Sequence, residues 1–325
     1  MKYVFIVGCP RSGSTWTTFL MAQHQQVATF QHAKVFDYLA NMERWHRNKT
    51  AYSFIVQPND GYNIQPSGEG NLRLAEVLPQ EDLYPLLRGV AEGILDSVAG
   101  IRDGTSVVVD KTPENGHLAD FILKVLPDAY FLHIVRDPRS VFCSHRSASK
   151  SWASWEFPTQ PIDGARTWQR DVDASLAIAQ KTERYLQVRY EDLKDSGVSE
   201  LGRIMSWLEL PADQAFLEQA VAASAKDKVR PNKELPSGFV RKTSAGGWRD
   251  ELSTGDTKVI EYLTGELMTQ LGYELTTDPG ATTALRVWLR EKPEPLLDFI
   301  EKKLHRAAQL VHWRWVGRKL EWPEP

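Results

Sequence analysis

Two kinds of apolar spacing alternate along the chain. Short runs rich in β-branched and aromatic residues occur at Tyr3–Val7, Val27–Phe30, Ser106–Asp110, Ala129–Val135 and Tyr185–Tyr190. Runs of this length, bounded by turn residues, predict buried strands. Between them apolar positions recur at helical spacing. Helices are predicted from Ser14 to about Gln25, over Ala33–Arg47 with Val35, Phe36, Leu39 and Met42 on one side, and over Leu83–Val98, ended by Gly100. Further helices are predicted over Leu118–Leu126, stopped by Pro127, after Pro138, over Ala165–Arg184, 198–208 and 212–225, and over Asp256–Leu271. Strands alternating with helices predict an α/β fold, with a parallel sheet covered by helices on both faces.

The rest of the pattern marks loops and a boundary. Residues 56–72, rich in Asn, Pro, Gly, Ser and Gln, predict a loop or lid, and 151–161 an aromatic loop. The basic segment 226–253 also reads as loop. Asp278-Pro279-Gly280 divides a main domain, 1–275, from an extension, 276–325, whose apolar and basic residues alternate as far as Trp313, Trp315 and Trp322. Such a basic aromatic helix docks on its own domain, on a partner subunit in a dimer, or on a membrane surface.

Composition narrows the classes. With 325 residues and a net charge of −3, nothing in the overall charge predicts a nucleic-acid partner. Two cysteines, Cys9 and Cys143, are too few for a disulfide framework or a zinc site, so reduced thiols and no metal are expected. No run reaches the ~18 apolar residues of a membrane span. Tyr3–Val7 falls short of the ~7 residues of a secretion-signal core, so a cytoplasmic protein is expected.

The chemistry starts at Gly8-Cys9-Pro10-Arg11-Ser12-Gly13-Ser14-Thr15-Trp16, a glycine-bearing turn between a strand and a helix. Backbone N–H groups and the helix dipole there favour an anion, most often phosphate. Gly8 and Gly13 have the spacing of a nucleotide P-loop, but Ser14 stands where that loop needs lysine, and the cation is Arg11. Arg11, Ser12, Ser14 and Thr15 can grip phosphate and are poorly equipped for ATP hydrolysis. Lys111-Thr112 follows the third predicted strand, and Arg136 with Ser144 follows the fourth. Basic and hydroxylic residues thus collect at strand carboxyl ends, where ligands of such sheets bind.

Taken together, these segments resemble the sulfotransferases that use 3′-phosphoadenosine 5′-phosphosulfate (PAPS). Cys9 to Trp16 is similar to their 5′-phosphosulfate loop, and the resemblance puts Trp16 against the adenine. Arg136-Asp137-Pro138-Arg139-Ser140-Val141-Phe142-Cys143-Ser144 is similar to their 3′-phosphate motif, and Val188 to Leu193 to the segment whose tyrosine, here Tyr190, approaches the nucleotide. Arg241-Lys242-Thr243 resembles a late loop that closes over the 3′-phosphate, with Thr243 in place of glycine. These segments run from residue 4 to residue 248 in the family order.

The resemblance implies a P-loop-like three-layer α/β/α fold with a central parallel sheet, PAPS as donor, and in-line transfer of a sulfuryl group to an acceptor hydroxyl. Binding is assigned to Arg11, Ser12, Gly13, Ser14, Thr15, Trp16, Arg136, Ser144, Tyr190, Arg241 and Lys242. Lys111 and Arg11 would stabilise charge at the transferring group. Cytosolic members carry a base histidine after Lys-Thr, where this chain has Pro113. Other members carry a glutamate 21 residues beyond the loop arginine, where this chain has His32. His32 is therefore the candidate base, with Asp37, Glu114 and His117 in reserve, while packing or capping accounts for His24. Residues 33–72 and the loop bearing Trp152, Trp155 and Phe157 would build the acceptor site, for a small-molecule, carbohydrate or lipid hydroxyl. Two other functions compete: a P-loop kinase of a small molecule, and a non-catalytic nucleotide-binding or membrane-associated scaffold.

Overall fold

The computed structural model describes residues 1–47, 78–153, 156–224 and 246–290. The predicted loop at 56–72, Trp155, Arg241 with Lys242, and the tail beyond residue 290 lie outside the described residues.

The five strands are β1 (Lys2–Val7), β2 (Val27–Gln31), β3 (Val107–Lys111), β4 (Tyr130–Val135) and β5 (Tyr185–Arg189). They form one parallel sheet in the order β2-β3-β1-β4-β5. Alternate side chains of each strand feed opposite layers. On one face Phe5, Val7, Val108 and Phe131 pack under α2 (Val35–Arg47), α3 (Gln80–Ala99) and α4 (Ala119–Val125). On the other face Val4, Ile6, Val109, Leu132 and Ile134 pack under α1 (Ser14–Met21), α8 (Gly197–Trp207) and α9 (Gln214–Ala223). This is the expected α/β/α sandwich.

A third cluster lies at the carboxyl ends of the strands. There Val135 and Cys9 meet α5 (Pro138–Ser149), α6 (Pro161–Leu176) and α11 (Thr254–Gln270) through Val141, Trp168, Val172 and Met268. The short helices α7 (Tyr190–Asp195) and α10 (Trp248–Glu251) border it, and α12 (Gly280–Arg290) packs Val287 on Val259 and Ile162. No helix among the described residues is long and apolar enough to cross a membrane.

Several boundaries differ from the sequence pattern, each for a tertiary reason. The first helix ends at Met21, because β2 must begin at Val27 to pair with Val107. Arg102 caps that turn, donating to the carbonyls of Ala22, His24 and Val27. The helix predicted from Leu118 begins at Ala119, preceded by a 3-10 turn over Pro113–Leu118. The long helix predicted over Ala165–Arg184 begins at Pro161 and ends at Leu176, followed by a 3-10 turn over Ala177–Gln180. Lys111 is the last residue of its strand rather than the first beyond it, and Tyr190 opens α7 rather than closing β5.

The β4–α5 turn is held by a buried ion network. Arg139 pairs with Asp137 at 2.7 Å and with Glu261 of α11 at 2.5 Å, and its guanidinium lies 3.9 Å from the Trp248 ring. Glu261 also accepts from the backbone and hydroxyls of Thr276 and Thr277. Breaking a buried pair from one side leaves an uncompensated charge. Glu261→Ala is expected to lower unfolding free energy by about 3–5 kcal/mol in urea titration; a loss below ~1 kcal/mol would show that the network contributes little.

Candidate functional site

Strand order decides the site. β1 is flanked by β3 and β4, so the turn after β1 lies between Lys111, at the end of β3, and Arg136, just beyond β4. The two glycines make that turn sterically feasible. Gly8 has φ +132 and a Cβ there would run into the Ile134 carbonyl; Gly13, φ +103, would meet the Tyr190 ring. Arg11 also takes a left-handed φ, +74, which side-chain-bearing residues rarely adopt.

Contacts from the β4–α5 side brace this conformation. Arg136 donates Nη1 to the Arg11 carbonyl at 3.2 Å, and Arg11 donates Nε to the Ser144 hydroxyl at 3.1 Å. His145 Nε2 stands 3.0 Å from the Pro10 carbonyl. Trp152 lies beside the Arg11 guanidinium, 5.5 Å to the ring centre. Ser144 is thus bonded to Arg11 rather than to Arg136, and the two anion-binding groups read from the sequence form one continuous basic surface. The Ser12 hydroxyl is buried with no hydrogen-bond partner among the described residues.

Tyr190 backs this surface. Its ring covers the Arg136 guanidinium at 4.4 Å and meets the Trp16 ring edge-on at 5.7 Å. Trp16 is half-buried and donates Nε1 to the Ser224 carbonyl at 2.9 Å. Glu191, next to Tyr190, accepts from the Asp137 N–H and from the Tyr273 hydroxyl, tying α7 to the β4–α5 turn. Ser14 and Thr15 begin α1 behind Gly13.

Lys111 and His32 meet on the other side of the loop. Gln31 of β2 pairs with Lys111 of β3, so His32 leaves the sheet beside Lys111, with φ +54 and its N–H donating to the Lys111 carbonyl at 3.3 Å. The side chains touch as well, Lys111 Nζ to His32 Nε2 at 2.5 Å. Lys111 is buried, and burial pushes its pKa from 10.5 down to about 8, with Arg11 pushing the same way and Glu114 opposing. His32 is exposed overall, with its ring Nε2 against Lys111. Partial desolvation first, then the Lys111 charge, lowers its pKa to about 4. At neutral pH an ammonium therefore donates to a neutral imidazole. Behind them Asp110 accepts from Thr112 at 2.7 Å and Asn115 at 3.0 Å, and burial raises its pKa to about 6.

The reserve residues have separate surroundings. His117 is bonded to Asp171 of α6 at 2.9 Å, Asp37 lies in the first turn of α2, and Glu114 is exposed beside Lys111. His24 bridges the Pro211 carbonyl and the Gln26 N–H, which makes it structural. Trp152 lies beside Arg11 and Phe157 stacks on the His145 ring, 5.0 Å away, while both stay partly exposed. Sequence reading missed His145 and Glu191. Their partners, Pro10 and the Asp137 N–H, are remote in sequence, and no local pattern signals such contacts.

Comparison with known proteins gives a consistent result. Nodulation protein NoeE of Sinorhizobium fredii is 23% identical over 293 residues, covering 83% of this chain; the chain spans 65% of that relative's length. Among solved structures, the sulfotransferase domain of the Synechococcus PCC 7002 olefin synthase superposes with a TM-score of 0.54 at 18% identity, covering 85% of this chain and 96% of that one. The sulfotransferase domain from the curacin biosynthetic pathway gives 0.52 at 20% identity, covering 85% and 99%. At these identities the superpositions speak for the fold. The model of the Sulfotransferase family matches residues 4–214, from the first strand through α8. The chain belongs to the Sulfotransferase family.

Proposed function

We propose that this protein transfers the sulfuryl group of PAPS to an acceptor hydroxyl, as a cytoplasmic enzyme whose catalytic domain is residues 1–275. The observation that carries this reading is the direct pairing of Lys111 with His32 beside a glycine-shaped loop that bears a cation and a buried, partnerless hydroxyl. An ammonium and a neutral base in contact suit a reaction that develops negative charge on one oxygen and releases a proton from another.

The residues present fit the donor. Arg11, Ser12, Gly13, Ser14 and Thr15 would hold its 5′ end and Arg136 with Ser144 its 3′-phosphate, joined there by Arg241 and Lys242. Trp16 would border the adenine, and Tyr190 would act through the Arg136 that it covers. Bound PAPS supplies a sulfuryl group activated as an anhydride, leaving 3′,5′-adenosine bisphosphate. Lys111, with Arg11, would donate to oxygens that gain charge. His32 Nε2, released from Lys111 when the ammonium turns to an anion, would accept the hydroxyl proton. The extension, 276–325, would pack on the domain, as its described helix does through Val287, or meet a partner or membrane surface.

The competing readings separate in one titration of the full chain. The bisphosphate without magnesium is expected to bind at least about tenfold more tightly than ATP with magnesium. Tight ATP–magnesium binding without bisphosphate binding would sink the sulfotransferase reading in favour of a kinase. Bisphosphate binding without sulfuryl transfer to any of a panel of sugar, phenol and alkyl hydroxyls would leave a scaffold.

A further inference from the structure

His145 is fully buried beside the loop, its ring stacked on Phe157 with planes 11° apart. A carbonyl oxygen can only accept, so the contact with Pro10 places the hydrogen on Nε2. Burial first pushes the imidazole pKa down to about 4, which leaves the ring neutral in that tautomer. The next carbonyl in the chain, that of Arg11, accepts from Arg136. Two consecutive carbonyls are therefore drawn toward the β4–α5 side, and the residue between these contacts is the one with the left-handed φ. The Pro10–Arg11 peptide is trans, so the Arg11 N–H points opposite the Pro10 carbonyl, away from His145. Left-handed backbone at a residue with a Cβ persists only where its surroundings impose it.

We propose that His145 is a positioning residue for the donor loop: its Nε2–H, together with Arg136, clamps the Pro10 and Arg11 carbonyls and holds Arg11 and Ser12 in their ligand-binding conformation. The proposal rests on the donor reading above. His145 touches neither substrate and acts through Arg11.

The test compares His145→Leu, which fills the space without a donor, with His145→Gln, whose amide nitrogen reaches the place of Nε2. In calorimetric titration with 3′,5′-adenosine bisphosphate, the Leu variant is expected to bind about tenfold more weakly or worse, and the Gln variant within about threefold of the original chain. Amide hydrogen exchange in the loop should accelerate in the Leu variant and not in the Gln variant, and donor KM should rise with acceptor KM unchanged. Should the Leu variant fail to fold, His145→Asn, too short to reach Pro10, takes its place with the same expectation. Equal binding by the Leu or Asn variant and the original chain overturns the clamp. So does equal weakening in Gln and Leu, which would make His145 a packing residue only. Failure of the original chain to bind the bisphosphate overturns the donor reading and this inference with it.

Discussion

Replacing Lys111 with methionine is expected to lower turnover by roughly 10²–10³-fold, the cost typical of removing one preorganised donor to developing charge. Bisphosphate affinity should fall by less than about tenfold, because Arg11 and Arg136 remain. Methionine keeps the length of the side chain in a site where Lys111 is 1% exposed, so the fold should tolerate it. Arginine is the poorer substitute: its planar fork needs more room than the ammonium and points its donors differently. Steady-state kinetics with a saturating donor, alongside calorimetric titration, separates the two quantities. Turnover within about tenfold of the original would remove Lys111 from the chemistry.

The second large effect concerns His32 and its pH dependence. A base must be unprotonated, so rate should rise with pH through the His32 pKa. A cation that stabilises charge must be protonated, so rate should fall as pH passes the Lys111 pKa. With values of about 4 and about 8, kcat/KM should describe a bell whose acid limb lies well below that of an ordinary histidine. The groups are in contact, so both limbs are properties of the pair. His32→Ala is expected to cost about 10²–10⁴-fold and to abolish the acid limb. Lys111→Met should abolish the alkaline limb. His32→Glu, which restores the residue that similar members carry there, should recover part of the rate. An acid limb unchanged in His32→Ala would show that another group takes the proton.

The Lys111–His32 contact bears on the proposed proton transfer. The imidazole lone pair that would accept a proton is already occupied by the ammonium. A base of low pKa beside a cation also sheds its proton readily once it has taken one. Both properties come from the register between β2 and β3, which sets residue 32 beside residue 111.

Sequence alone determined the sandwich and named the candidate residues of the site. Short β-branched runs such as Val107–Val109 favour buried strands, and helical periodicity between them leaves a parallel sheet as the economical arrangement. The loop from Gly8 to Trp16 was readable because its constraint is local: glycine spacing, hydroxyls and one cation within a single turn. Arg136, Ser144, Lys111 and His32 were readable as residue types at family-like spacings, though spacing along the chain carries no distance between them. Helix ends were misread wherever a distant partner decided them, as when Arg102 caps the turn after Met21.

Tertiary structure alone decided the rest, because strand order is a non-local property. It set β3 and β4 on either side of β1, brought Ser144 to Arg11, and put Lys111 against His32 with both pKa values lowered. It also placed Trp152 beside Arg11 and Phe157 against His145. The loop's conformation is imposed from β4 and α5, through Arg136 and His145, on residues more than a hundred positions away. A left-handed Arg11 is unfavourable in isolation, and only the packed fold supplies the donors that hold it.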